Sequence, residues 1–504
     1  MIPSSDLHQL IHSLSGSELR YIKGSKQKKE EGSNTNYLVL LDAILEQMTY
    51  DEVKLKHKLK QHKFVNHLAS EKKYLYEHIL KSLRQYHSDV TPENSLNDYL
   101  AEIHILKNKQ LFDQGLKLIG KAKILALEFE CYDALIELNK EAIEIYLYHS
   151  DTLNWVEIDN LTTEMNKFHQ KNTLLLEIFC HSKDYTRIIR NSLSIEKNNF
   201  ELSLILISNV LGASDSFRIK TSYLALNLMI KLKDLKNPNI KLEFSEIKSI
   251  WDEHPKFKKY YPLPYIRFVR NYLTYLHQVE DFENFGIYLN EIKALSETNA
   301  NTYENFYRYS TLEILYYLNT NQLEKICDNA ELYQSQLTSF TNKLSKSKYI
   351  TFSYNVVIGL FLNQKWRACL DWINRITAIK KTDERVDIQR IAHVLLLFIH
   401  FELGNDDILY SLCRATKRKE GKLIEYTELD KLAINMMNKL QDANDQVARL
   451  KIQSKFYDDV CKYKAKMGDT HEIGMNEMYV WAHAKHHQIP LQEAWAIALI
   501  KSKK

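Results

Sequence analysis

Glycine and proline, the residues that most often form tight turns, are scarce in this chain. Only 12 glycines and 7 prolines occur among 504 residues, roughly 4% of the chain against about 12% in average proteins. A protein with many strands needs many such turns, whereas long segments here place leucine, isoleucine and tyrosine at helical spacing. The sequence therefore predicts an all-α fold. Because single compact cores rarely exceed about 250–300 residues, it also predicts a helical repeat array.

Charge, cysteines and hydropathy narrow the class of protein. The formal net charge is only +4, so any basic function would be local. The six cysteines lie too far apart in sequence for a metal knuckle or a redox pair, and we expect buried, reduced thiols. The N-terminus lacks a signal-peptide pattern, and no window approaches about 18 uninterrupted apolar residues. We therefore expect a soluble, cytoplasmic protein that does not enter a membrane.

Residues 1–88 are predicted to form a small N-terminal helical cap. The segment "LHQLIHSLSGSELRYIK" indicates one helix or a helix pair, residues 24–36 a polar loop, and three further segments show helical patterns. These three helices are predicted at residues 37–47, 50–61 and 70–86.

The last helix of the cap has the clearest amphipathic pattern, with Ser70 as the expected N-cap. Its apolar face is predicted to contain Leu75, Tyr76, Ile79, Leu80 and Leu83, and its polar face Lys73, Glu77, Lys81 and Arg84. The cap ends at "HSDVTPENS", where Thr91 suits an N-cap and Pro92 the first position of a new helix.

A weak repeat follows the cap. Each copy has an aromatic or leucine anchor, then a small or apolar residue three positions on, and further apolar residues near the seventh and tenth positions. The anchors are Phe112, Trp155, Tyr185, Phe282, Leu323 and Trp366. They are 43, 30, 97, 41 and 43 residues apart, and most of these spacings are near one helical hairpin of about 34–45 residues.

This pattern resembles the second-helix signature of tetratricopeptide (TPR) repeats. The first copy matches best, with Phe112, Gly115, Ile119 and Ala122, while later copies carry larger residues such as Ile158 at the small position. The resemblance implies a TPR-like α-solenoid of helical hairpins whose concave face binds extended peptides or protein surfaces. Segments of the cap, including "LSGSELRYIK" and "YLYEHILKSLRQY", also resemble the start of a family of long helical Bacteroidetes-type proteins, which implies no activity.

Prolines indicate where the array is interrupted. Four of the seven fall within residues 237–264. We therefore predict a cap at 1–88, TPR-like hairpins at 89–236, a proline-containing break at 237–264 and further TPR-like hairpins at 265–504.

The stretch from Lys54 to His87 is strongly basic. It contains eight lysines, one arginine and two acidic residues, a local net charge of +7 with histidine neutral. The candidate basic docking face consists of Lys72, Lys73, Lys81 and Arg84. Three interpretations stay open, namely a solvated structural face, which we favour, a nucleic-acid-binding surface through residues 54–87, or a docking site for an acidic protein.

A second candidate is a groove in "FKKYYPLPYIRFVRNYLTYLH", where aromatic and basic residues alternate. Its residues are Lys258, Lys259, Tyr260, Tyr261, Arg267 and Arg270. On a concave wall they would contact a peptide or a single strand. The interpretation we favour is a loop followed by a core helix that buries Ile266, Val269 and Leu273.

Catalytic and metal-binding patterns are absent from the sequence. His483, His486 and His487 have helical spacing but no acidic or cysteine ligand at a telling distance, and Met475 replaces the second histidine of a zinc-protease motif. We expect no catalytic residues, metal or cofactor. The favoured function is a non-enzymatic intracellular scaffold or adaptor that binds a protein or peptide partner. The alternative is a regulator with a nucleic-acid-binding cap and a partner-sensing array.

Overall fold

Regular structure is entirely helical in the residues described by this computed structural model. Those residues are 4–24, 36–148, 154–191, 215–232, 234–298, 303–339, 344–379, 384–419, 425–443, 445–468 and 472–502. Within them lie 25 α-helices, one short 3-10 helix and no strand. The prediction of an all-α fold is confirmed. The predicted polar loop at 24–36 falls almost wholly on residues 25–35, which lie outside the described residues.

The chain forms two compact units. Unit 1 consists of residues 1–230 and 239–261, and unit 2 of residues 231–238 and 262–504. The chain leaves unit 1 for the last time between Tyr261 and Pro262. This point lies inside the proline-containing segment 237–264.

Unit 1 contains the first twelve helices. They are α1 (Ser4–His12), α2 (Gly16–Gly24), α3 (Asn36–Leu45), α4 (Glu52–Lys58), α5 (Leu68–Tyr86), α6 (Pro92–Asn108), α7 (Phe112–Glu128), α8 (Tyr132–Tyr148), α9 (Trp155–Asn191), α10 (Phe217–Lys231), α11 (Ile240–Asp252) and α12 (Pro255–Tyr260).

Unit 2 contains the remaining thirteen helices. They are α13 (Pro262–Gln278), α14 (Phe282–Thr298), α15 (Tyr303–Asn319), α16 (Leu323–Asp328), α17 (Ala330–Ser339), α18 (Lys346–Leu362), α19 (Trp366–Thr377), α20 (Val386–Glu402), α21 (Asp406–Lys419), α22 (Glu428–Gln441), α23 (Gln446–Met467), α24 (Met475–His487) and α25 (Leu491–Ser502).

Helices α1 to α5 enclose a hydrophobic core of their own, which includes Leu7, Leu40, Ile44, Leu75 and Ile79. Two details of the predicted pattern on α5 are wrong. The helix begins at Leu68, so Ser70 lies in its first turn and is not the N-cap. Leu80 is 43% exposed, because a residue next to Ile79 on a helix points about 100° away from it.

The start of α6 follows the predicted signals. Thr91 Oγ1 accepts a 3.2 Å hydrogen bond from the backbone N–H of Asn94, and Pro92 is the first helical residue. Both predictions are confirmed. Here a polar cap and a proline with a pre-set φ angle define the helix start from local sequence alone.

A left-handed turn recurs between consecutive helices. Its central residue has φ between 51° and 69° at Gln110, Glu130, Glu280, Asn321, Gln364, Gly404 and Gln488. The N–H of the next residue bonds to the carbonyl oxygen five residues back, as in Leu111 to Leu106 (2.9 Å) and Lys365 to Leu360 (2.9 Å). This is the Schellman arrangement that ends one helix and turns the chain into the next.

Four repeat anchors, Phe112, Phe282, Leu323 and Trp366, are the first residues of helices that follow such turns. Trp155 also begins a helix. Tyr185 does not, because it lies inside the 37-residue α9. Residues 155–191 contain neither glycine nor proline that would end the helix before Tyr185.

Packing follows chain order within each unit. From α6 to α9, and from α18 to α25, each helix packs on its neighbour in sequence. Helices that are not consecutive also lie side by side, among them α6 with α8, α15 with α18, α18 with α20, and α20 with α22. This double set of neighbours is typical of stacked helical hairpins.

The six cysteines are free thiols, but not all are buried. Cys131, Cys369 and Cys413 are buried and Cys327 and Cys461 half-buried, as expected for thiols in amphipathic helices. The prediction is wrong for Cys180, which is exposed on the same side of α9 as Leu176 and Phe179. No helix in the described ranges combines the length and the apolar character needed to cross a membrane.

Candidate functional site

Lys72 differs from the other three residues of the predicted basic docking face. Its side chain is 12% exposed, and its Nζ lies 2.9 Å from Glu52 Oε2 and 3.2 Å from the Tyr50 hydroxyl. Burial alone would lower the pKa of Lys72, but the hydrogen bonds to Glu52 and Tyr50 outweigh it and raise the pKa. Lys72 therefore connects α5 to the start of α4 within the cap.

Lys73, Lys81 and Arg84 lie on the exposed side of α5. Glu77 lies between them on this side, with its Oε1 3.8 Å from Lys73 Nζ. The neighbouring Tyr74 is 42% exposed. Three cations beside an exposed aromatic ring form a surface that suits an acidic partner. We name Lys73, Lys81 and Arg84 the α5 basic face.

The groove residues in unit 1 mostly contact their own unit. Lys258 forms an ion pair with Asp252. Lys259 Nζ lies 5.2 Å from the centre of the Tyr260 ring, and that ring meets Phe129 edge-on at 5.2 Å. The aromatic and basic side chains of α12 therefore contact their own unit and hold this helix in place.

The remaining groove residues divide between the units. In unit 1, Tyr261 donates a 2.6 Å hydrogen bond to Glu93 Oε1. In unit 2, Arg267 is exposed and Arg270 half-buried on α13. The prediction that Ile266, Val269 and Leu273 belong to a core helix is confirmed, because each is at most 3% exposed. The loop predicted before that helix is wrong, because Pro255–Tyr260 form α12.

Unit 1 contains a cavity of about 380 Å³ that the sequence did not predict. One face of α6 lines it with Glu93, Leu96, Asn97 and Leu100. Cys131, just before α8, also lines it, as do Tyr132, Asp133, Ala134 and Glu137 in the first turns of α8. Asn172 of α9 and Arg218 of α10 complete it. We name this the α6–α8 cavity. Its volume lies in the usual range for small-ligand sites, about 300–1,000 Å³.

Glu130, in the left-handed turn before α8, fixes Arg218 at the edge of this cavity. Its carboxylate accepts hydrogen bonds from the backbone N–H of Phe217 (2.7 Å) and Arg218 (2.8 Å) and from the Ser216 hydroxyl (2.7 Å). Arg218 Nη1 donates to the Glu130 carbonyl oxygen at 2.9 Å. A carboxylate at a helix N-terminus satisfies otherwise unpaired N–H groups, so Glu130 anchors α10 beside α8.

Hydrogen bonds orient two of the cavity's carboxylates. Glu93 accepts from Tyr261, and Asp133 accepts from the Asn172 amide. Burial, and then the bond to Glu93, raises the pKa of Tyr261. Burial also raises the pKa of the Cys131 thiol, so this cysteine is held protonated rather than as a nucleophilic thiolate.

The cavity lining is amphipathic and acidic. Three carboxylates face one guanidinium, while Leu96, Leu100 and Ala134 supply apolar wall. Such a lining suits a cationic group carried on an aliphatic stem. No local sequence pattern predicts this cavity, because its residues come from four different helices. Two of them, Glu93 and Arg218, are 125 positions apart in the chain.

The C-terminal histidines pack around one ring rather than around an ion site. His486 stacks on Tyr457 at 4.6 Å, His487 meets it edge-on at 5.6 Å, and His483 Nδ1 lies 3.3 Å from its hydroxyl. Among the described residues, no group of three or more His, Cys, Asp or Glu side chains is arranged to hold a metal ion.

Comparison of the chain with models of protein families, with curated proteins and with solved structures found no match. A functional proposal therefore depends on the geometry of the chain itself.

Proposed function

We propose that this chain is a non-enzymatic intracellular scaffold or adaptor, and that it binds a protein or peptide partner on the surface of a TPR-like α-solenoid. The observation that carries the proposal is the repeated hairpin. Left-handed turns join helices at Gln110, Glu280, Asn321, Gln364 and Gly404, and the first helices of successive hairpins pack side by side. In unit 1 the first helices α6 and α8 lie side by side, and a row of first helices is the surface that stacked hairpins present to a partner.

The chemistry of the described side chains supports a binding role over a catalytic one. The cavity thiol is kept protonated by burial, and the histidines of α24 are engaged with Tyr457. Catalytic groups need a nucleophile or base directed at free space with a suitable pKa. The cavity instead offers oriented carboxylates beside apolar wall, an arrangement suited to recognition.

The test is affinity purification of the tagged full chain from its own cells, with and without nuclease. We expect protein partners to be recovered in both conditions. Recovery of nucleic acid together with loss of the proteins after nuclease would contradict the scaffold proposal. Recovery of no partner at all in either condition would contradict it as well.

One observation favours a second candidate, a regulator whose cap binds nucleic acid. The α5 basic face is exposed beside Tyr74, and cations next to an exposed ring are the groups that contact phosphates and stack on bases. Replacing Lys73, Lys81 and Arg84 with alanine should then weaken binding and reduce the salt slope by about 0.9 for each phosphate that the variant no longer neutralises.

A matched control for that triple variant exists in the same unit. Lys109, Lys117 and Lys121 are also exposed, lie outside the cap and carry the same total charge. If both triple variants lose affinity equally, the effect is general electrostatics and the regulator is contradicted. If only the α5 variant loses affinity, the regulator is favoured over the scaffold.

A further inference from the structure

The lining of the α6–α8 cavity indicates the chemistry of an occupant. Glu93, Asp133 and Glu137 bring three negative charges to it, and Arg218 brings one positive charge. The formal charge of the lining is therefore negative. In a partly enclosed site the interaction of these carboxylates with a ligand cation is screened less than on an open surface.

Two contacts fix the guanidinium of Arg218. Its Nη1 donates to the Glu130 carbonyl oxygen, and its guanidinium carbon lies 5.8 Å from the centre of the Tyr261 ring. These contacts hold the guanidinium beside the turn that precedes α8. The carboxylates of Asp133 and Glu137 lie one turn apart on α8, so Glu137 is the farther of the two along the chain from that turn.

The apolar part of the lining is placed on α6. Leu96 and Leu100 are one helical turn apart on the same face of that helix; Leu96 is buried beneath the lining, and Leu100 is half-buried and supplies accessible apolar surface. A side chain that enters the cavity can lay its methylene groups along Leu100 and direct its charged end to the carboxylates. Lysine and arginine have this combination of an apolar stem and a charged head.

The position of the cavity also fits a side chain delivered by a peptide. It lies where α6 and α8, the first helices of two consecutive hairpins, pack side by side. In the proposed solenoid this is the wall along which an extended partner would run.

From these observations we propose that the α6–α8 cavity is a subsite for a basic side chain, lysine or arginine, of the partner peptide. The inference rests on the proposed scaffold function, which it makes more specific. Glu93 and Asp133, already oriented by Tyr261 and Asn172, accept hydrogen bonds from the ligand cation. Glu137, whose Oε2 lies 3.1 Å from Lys140 Nζ, adds a partly neutralised third charge.

The experiment is saturation-transfer NMR on the full chain with N-acetyl-arginine methylamide as the probe. The matched neutral probe is N-acetyl-citrulline methylamide, which has the same shape but a ureido group in place of the guanidinium. We expect transfer to the side-chain methylene protons of the arginine probe and little transfer to the citrulline probe.

Two double variants locate the binding. Asp133→Asn with Glu137→Gln removes two cavity charges and keeps the oxygen acceptors. Glu102→Gln with Asp113→Asn makes the same charge change at exposed positions of α6 and α7 outside the cavity. We expect the cavity variant to bind the arginine probe about tenfold more weakly and the control variant to bind it as the unmodified chain does.

Equal transfer from both probes, equal loss in both variants, or no transfer from the arginine probe would overturn the subsite. These results are independent of the affinity purification. If partners are recovered but the arginine probe fails, the subsite is overturned and the scaffold stands. If the probe binds as expected and no partner is recovered, the scaffold fails and the cavity stands as a site for a free cationic ligand.

Discussion

The indole Nε1 of Trp495 donates a 2.8 Å hydrogen bond to the carbonyl oxygen of Leu318, 177 residues earlier in the chain. Both residues belong to unit 2, Trp495 on the last helix α25 and Leu318 on α15. Helix α25 also packs against α18. Unit 2 is therefore not held by sequence neighbours alone, because its C-terminal helix covers helices from its first half.

Trp495→Phe should destabilise unit 2 by about 1 kcal/mol, since phenylalanine keeps the aromatic packing but removes the donor. Trp495→Ala should cost about 3–5 kcal/mol because it also leaves a cavity. Hydrogen exchange should become faster in peptides from α15 as well as from α25. The control is Trp155→Phe, which alters a side chain that is 60% exposed. Unchanged exchange in α15 of the Trp495 variants would contradict the proposed closure.

The left-handed turns make a second prediction. Gly404→Ala should destabilise the chain by about 1–2 kcal/mol, because its φ of 69° is unfavourable for any residue with a Cβ. Gln364→Gly, at φ 57°, should stabilise it for the same reason. Gly120→Ala is the control, because it lies within α7 with open space around the added Cβ. That change should stabilise by about 0.5–1 kcal/mol, and thermal unfolding would measure all three variants.

Local sequence signals predicted those features of the fold that depend on neighbouring residues. Thr91 and Pro92 define a helix start through one side chain and one fixed dihedral angle, and Phe112 and Trp366 mark helices through local periodicity. The turns themselves gave little signal, because most of their left-handed residues are not glycine. Glutamine or glutamate at such a position is held there by the packing of two helices, which a local pattern does not contain.

The candidate site could not be predicted for a related reason. Glu93 carries a sequence signal only as a favourable first-turn residue of α6. Its role in the cavity depends on Tyr261, which donates a hydrogen bond to it, and on Arg218, which lines the same cavity. Long-range packing brings both residues to this place. Side-chain periodicity tells which face of each helix is buried, but not which helix covers that face. The charge of the cavity becomes visible only when α6, α8 and α10 are brought together.

Unit 2 contains a buried ion pair between Arg390 of α20 and Asp430 of α22. Arg390 Nη2 also lies 3.5 Å from Glu472 Oε1, and its Nη1 donates a 3.2 Å hydrogen bond to Thr427 Oγ1. Asp430 is fully buried, and its carboxylate accepts from the backbone N–H of Thr427 at 2.9 Å. One arginine thus neutralises buried charge and supports the cap of α22.

Arg390→Met should destabilise unit 2 by about 3–5 kcal/mol, because it leaves the Asp430 carboxylate buried without its cation. Adding Asp430→Asn should recover part of that loss, since the amide oxygen still accepts the capping hydrogen bond but carries no charge. The control Lys466→Met breaks the exposed pair with Glu428 and should change stability by less than about 1 kcal/mol. Denaturant unfolding would measure the series, and additive effects of the two Arg390–Asp430 changes would contradict their coupling.

Glu477 gives a pH prediction for the same unit. It is 5% exposed in the first turn of α24, and burial raises its pKa above the usual value of 4.5. The folded state therefore holds this proton more tightly than the unfolded state does. The stability that this group contributes is fully present below pH 4.5 and is lost as the pH rises through the raised pKa. Glu477→Gln, which stays neutral, should therefore stabilise the chain increasingly from pH 5 to pH 8 and have little effect at lower pH.

Glu52 in the cap provides the control of opposite sign. Hydrogen bonds from Lys56 and Lys72 lower its pKa from 4.5 to about 2. Its contribution is present above pH 4.5 and is lost as the pH falls towards about 2. Glu52→Gln should thus destabilise at neutral pH, with an effect that shrinks on acidification, while Glu477→Gln shows the reverse dependence. Thermal unfolding of both variants between about pH 2 and pH 8 separates the two signs, because it covers the pH range in which each carboxyl titrates. A Glu477→Gln effect independent of pH would show that this carboxyl has the same pKa in the folded and unfolded chains.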